Sequence, residues 1–171
     1  MSDGQSFTDQ RIQNELSAIR HDNSGDITFE WDETNIRHLV ATIIGPNATP
    51  YEGGRFKIDI HIPDGFPIKP PHVRFITKIW HLNICSKNGA IRLSLFDDDW
   101  SPGTGLENAM VSVQALLSAP DHYGDSSSFS RKARIWTRKY ATADPPTNGT
   151  TKTSRTRPST KTPAQLKDFI P

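Results

Sequence analysis

A chain of 171 residues has the length of one domain with a tail, and 20 Lys and Arg against 19 Asp and Glu leave a formal charge of +1. That balance excludes broad electrostatic capture by nucleic acid or a membrane surface, and no nucleic-acid or membrane partner is expected. The single cysteine excludes an internal disulfide framework and a cysteine-rich zinc site, and no apolar run reaches the roughly 18 residues of a membrane span. The polar start Met1-Ser2-Asp3-Gly4-Gln5 does not read as a secretory signal, so a cytoplasmic or nuclear location is expected.

Residues 1–6 read as a flexible N-terminus. The spacing of Ile12, Leu16 and Ile19 predicts an amphipathic helix over 9–20, with Thr8 or Asp9 as its cap. Strand patterns follow. Ile27–Trp31 is a short candidate, and Val40–Ile44 a second, ended by Gly45-Pro46-Asn47. In Arg55–His61, Phe56, Ile58 and Ile60 alternate with Lys57, Asp59 and His61, which predicts a strand with one wet face. Val73–Ile76 is the fourth. The breakers Pro50–Gly54 and Pro63-Asp64-Gly65 separate them. One helix and four consecutive strands predict an α+β fold, an antiparallel meander with helices on one side. An irregular segment follows, and Thr104 and Glu107 stand at capping-box spacing before a helix whose stripe is Leu106, Met110, Val113 and Leu117. A third helix is predicted over 128–141, with Phe129, Ala133, Trp136 and Tyr140 on one face. The domain spans 7–143. From 144 to 171 the chain is basic and rich in Ser, Thr and Pro, too polar to form a core, and is expected to be disordered.

Five stretches carry a resemblance. Ile43–Pro71 has Gly-Pro, Pro-Tyr-x-Gly-Gly and Phe-Pro-x-x-Pro-Pro in series; His81-Leu82-Asn83 and Trp100-Ser101-Pro102 bracket the irregular segment; Arg11–Leu16 and Ala133–Ala141 flank the whole. In this order the chain resembles the ubiquitin-conjugating enzymes. The resemblance implies their fold, with one family helix absent where Asp121–Ser127 forms a loop. It also places the family's thioester-forming Cys at position 92, where this chain has Arg92.

A guanidinium offers no lone pair and stays protonated below a pH of about 12, so Arg92 cannot carry an acyl group. A shift of register by one residue brings Ile91 or Leu93 to the position, and neither is a nucleophile. The interval from His81 to Arg92 is one residue longer than is usual in the family. Ser94 stands where the family often has an Asp. His81, Asn83, Arg92 and Ser94 therefore form a vestigial site: the reading is a non-catalytic relative, resembling the ubiquitin-conjugating enzyme variants. Asn83 and His81 are expected to hold the loop through side-chain hydrogen bonds, and Asp97–Asp99 to form a solvated turn, a carboxylate paired with Arg92 being the alternative. Two alternatives stay open, an active enzyme using Cys85 as fallback nucleophile, and one whose natural residue at 92 is Cys. Cys85 itself is expected to lie away from the site along a loop.

The resemblance further implies partners: ubiquitin or a ubiquitin-like protein, an active conjugating enzyme, or a ubiquitin ligase. It puts ligase docking at Gln10, Arg11, Ile68, Ser101, Pro102 and Gly103, and a weaker ubiquitin contact at Thr28 on the back face. Arg37 and His38 are read as part of that back surface. No cofactor and no metal site are expected.

Overall fold

The computed structural model describes residues 6–22, 25–118 and 126–142. The expectations for residues 1–5 and for the tail 144–171 lie outside them. The elements run α1 (Phe7–Asp22), β1 (Ile27–Asp32), β2 (Asn35–Ile44), β3 (Arg55–His61), β4 (His72–Phe75), a 3-10 turn (Ser94–Phe96), α2 (Gly105–Ser118) and α3 (Ser126–Tyr140). The four strands form one antiparallel sheet in the order β1-β2-β3-β4.

Register fixes which residues meet on each face of the sheet. Phe29, Ala41 and Ile58 align across three strands, as do Leu39, Ile60 and Val73, and these point inward. α1 and α2 lie against that face over β2. α1 buries Ile12, Leu16 and Ile19, and α2 buries Leu106, Ala109, Met110, Val113 and Leu117. Together with Tyr51, Phe56 and Phe66 they make one core.

Several local expectations need correction. Thr8 does not cap α1. It lies inside the helix, buried, and its hydroxyl donates to the carbonyls of Asp64 (2.9 Å) and Phe66 (2.8 Å), pinning α1 to the loop after β3. The first turn of α2 is closed from outside: Glu15 on α1 accepts a hydrogen bond from the Leu106 amide at 2.7 Å. α3 starts at Ser126, inside the stretch Asp121–Ser127 expected to be a loop, and the rest of that stretch lies outside the described residues. Arg37 faces α1 rather than the back surface, bonded to Asp9 and Asp64 at 2.7 Å each. Asp59, read as a wet position, is only 5% exposed.

Candidate functional site

The irregular segment between β4 and α2 folds back as a short ribbon. Isolated bridges join His81 to Ile84 and Ile84 to Ile91, and the Arg92 amide donates to the Asn83 carbonyl at 2.7 Å. Ala90 bridges to Arg74, which docks the ribbon on β4. Gly89 makes that docking possible. Its φ is +75°, and a Cβ there would sit 2.0 Å from the Phe75 carbonyl oxygen.

His81 is buried, and both its nitrogens are used. Nδ1 accepts from the Asn83 amide at 3.0 Å, and Nε2 donates to the carbonyl of Leu116 on α2 at 3.1 Å. The preceding Trp80 carbonyl accepts from the buried Tyr51 hydroxyl at 2.8 Å. Burial pushes the Tyr51 hydroxyl well above the ordinary phenol range. The loop is thus fixed by a neutral imidazole and a tyrosine, neither poised for proton transfer.

Asn83 does not hold the loop in the expected way. Its backbone does so, through the bonds to His81 and Arg92, while its side-chain Oδ1 is buried with no hydrogen-bond partner among the described residues.

Cys85 needs a larger correction. Because the ribbon is antiparallel, Cys85 and Arg92 fall on the same side of it, and both line one hollow. Trp80, Leu82 and Phe129 supply the hollow's apolar wall, and Lys87 adds a second cation. The thiol is half-buried, and its pKa is lowered: the backbone N–H groups of Asn88 and Lys87 aim at the sulfur, and the Arg92 and Lys87 charges act in the same direction against partial burial. The turn itself is closed by the Gly89 amide, which donates to the Cys85 carbonyl at 2.8 Å. Arg92 projects from the ribbon, exposed, and makes no ion pair with Asp97, Asp98 or Asp99. Ser94 opens the 3-10 turn and is exposed.

Phe129 was legible only as part of a helical stripe. It reaches the hollow because α3 returns across the ribbon, with Trp136 5.4 Å from Trp80 and Lys132 3.3 Å above the Trp80 ring. No local pattern could have revealed this, since the partners are some fifty residues apart.

The residues implied for docking come together at one edge. The Arg11 guanidinium donates to the Pro102 carbonyl at 2.9 Å, and the Trp100 indole donates to the Pro67 carbonyl at 2.8 Å. These bonds join α1, the 66–71 loop and the 101–103 loop. Ile68 is 78% exposed beside them, and Gln10, Ser101, Pro102 and Gly103 are exposed too. Arg11 is half-buried and also paired with Glu15 at 2.6 Å, so much of its guanidinium is committed within the fold. Thr28 lies on the other face of the sheet, opposite Thr42, and is half-buried.

A profile of the ubiquitin-conjugating enzyme family matches residues 11–143. "Ubiquitin-conjugating enzyme E2 27" of Arabidopsis thaliana is 44% identical over 144 residues, covering 77% of this chain and 75% of that protein. "Ubiquitin-conjugating enzyme E2 K" of Homo sapiens is 39% identical over 149 residues, covering 78% and 74%. Among solved structures, the E2 domain of a Toxoplasma gondii ubiquitin conjugating enzyme superposes with a TM-score of 0.69 at 35% identity, covering 77% of this chain and 97% of that one. The chain belongs to the ubiquitin-conjugating enzyme family. That family works with ubiquitin or ubiquitin-like proteins and with ligases.

Proposed function

We propose that this chain is a non-catalytic member of its family, a partner or regulator of an active conjugating enzyme or a ligase in the conjugation of ubiquitin or a ubiquitin-like protein. The observation that carries this is Arg92 lining the hollow, at the position where the motif resemblance puts the family's acyl-carrying thiol. Acyl transfer from an activating enzyme needs a nucleophile that is also a good leaving group, and guanidinium is neither. What remains is a fold with its binding edge intact: Ile68 is an exposed apolar anchor on a loop stiffened by Pro67 and Pro70.

A second reading is favoured by the position of Cys85. Its thiol faces the same hollow, lies close enough to Arg92 to feel its charge, and is more acidic than an ordinary cysteine. Against it stands the place of Cys85 in the chain, seven residues before Arg92 and in a turn of its own.

Incubation with an activating enzyme, ATP and ubiquitin, followed by a non-reducing gel, separates the two. The non-catalytic reading expects no thiol-sensitive adduct from the native chain, and Arg92→Cys is expected to gain one. An adduct on the native chain that vanishes in Cys85→Ser would overturn it.

A further inference from the structure

The outer face of the sheet holds a group of side chains that the hollow does not use. On β2, β3 and β4 the register sets His38 opposite His61 and His61 opposite His72, so three histidines form a row across three strands. Directly beside that row, Asp59 pairs across the strands with Arg74. The His38 Nε2 lies 2.7 Å from Asp59 Oδ1, and the His61 Nε2 lies 3.2 Å from Oδ2. The His38 and His61 rings are stacked, with centroids 4.4 Å apart and 6° between their planes. One donor atom from each of His38, Asp59 and His61 lies within 4.8 Å of the others.

We propose that His38, Asp59 and His61 form a binding site for a divalent transition-metal ion of the zinc class on the outer face of the sheet. Two imidazole nitrogens and one carboxylate oxygen are a donor set that suits zinc, which takes such ligands at about 2.0–2.2 Å and leaves a fourth position open when the protein supplies three. Around a tetrahedral ion, ligand atoms at those lengths stand about 3.3–3.6 Å apart; His38 Nε2 is 2.7 Å from Asp59 Oδ1, and the His61 ring, now on Oδ2, turns toward Oδ1 for the three donors, already within 4.8 Å of one another, to converge. The burial is arranged to match. Asp59 is almost fully enclosed, whereas the side chains of His38 and His61 are 42% and 55% exposed, so an ion reaches the site from solvent and its open position faces outward.

Arg74 does not close the site. Its Nε donates to Asp59 Oδ2 at 2.8 Å, which leaves Oδ1 for the ion and fixes the plane of the carboxylate. Such an outer partner orients a ligating group rather than competing for the metal position. The strands themselves are rigid supports, since β3 is hydrogen-bonded on both sides. No sequence pattern points to this cluster, because His38 is 21 residues from Asp59 and only the β2–β3 register brings them together.

The test is titration of the untagged full-length chain with ZnCl2 by calorimetry, in a Cys85→Ser background that removes the only thiol. One ion per chain is expected, with a raised melting temperature at saturation. His38→Ala and His61→Ala are each expected to weaken binding by about tenfold or more. His21→Ala, at the exposed end of α1, is expected to leave it unchanged. Both alanine variants replace half-exposed side chains, and circular dichroism checks that they fold. Zinc binding that survives both substitutions, or that is lost in His21→Ala, overturns the proposal. So does absence of binding by a folded chain. The thioester test is independent of all three results.

Discussion

Two side chains decide what the hollow beside α3 can do, and both can be interrogated singly. The Cys85 thiol is held below the ordinary thiol range by the Asn88 and Lys87 amides first, and then by nearby cations. Its thiolate therefore forms at lower pH than that of an unstructured cysteine. Iodoacetamide alkylation, followed by mass spectrometry across pH, is expected to show a midpoint below the roughly 8.5 of a free thiol. Arg92→Ala is expected to move that midpoint upward by a smaller amount, because its charge is a lesser contribution than the two amides. A midpoint at or above the free value would mean that the turn does not hold the sulfur as described. At Arg92 itself the side chain is exposed and makes no ion pair with its acidic neighbours, so removing it is expected to change stability by no more than about 0.5 kcal/mol.

At the scale of elements, α1 is fastened through side chains rather than by its apolar stripe alone. Glu15 joins it to the first turn of α2 and, within α1, holds the Arg11 guanidinium. Glu15→Ala strands the Leu106 amide and frees the guanidinium that reaches Pro102. A loss of about 1–2 kcal/mol is expected, read as a melting temperature lower by several degrees. The strands and helical stripes were legible in the sequence, since period-2 alternation in Arg55–His61 and 3.6-residue spacing in α1, α2 and α3 are local signals. What escaped was every role set by a distant partner. Thr8 looks like a cap until the 63–66 loop arrives beneath it, and Thr104 looks like one until Glu15 does its work. Asp59 reads as solvated because its sequence neighbours are Lys57 and His61, while its burial comes from β2 and β4. In the site, His81, Asn83 and Arg92 were recognisable by motif. The approach of Cys85 to Arg92 was not, because it depends on the ribbon's pairing and not on the count of residues between them.

Across the whole molecule, the edge built from Gln10, Ile68 and Ser101–Gly103 bears on the proposed role as a partner. Ile68→Glu places a charge at a residue 78% exposed, so the melting temperature is expected to stay within about a degree or two of the native value. Binding to a cognate ligase in a pull-down is expected to fall by an order of magnitude or more if that edge is the docking surface. Unchanged capture would assign docking to another face. The same edge connects to the hollow through a single element. Glu15 grips α2 at Leu106, and ten residues on the Leu116 carbonyl grips His81. A helix of 14 residues is a strut about 20 Å long, and a strut transmits position without bending. Whatever sits down on Ile68 therefore meets a hollow already set to its final dimensions, with no slack to be taken up on arrival.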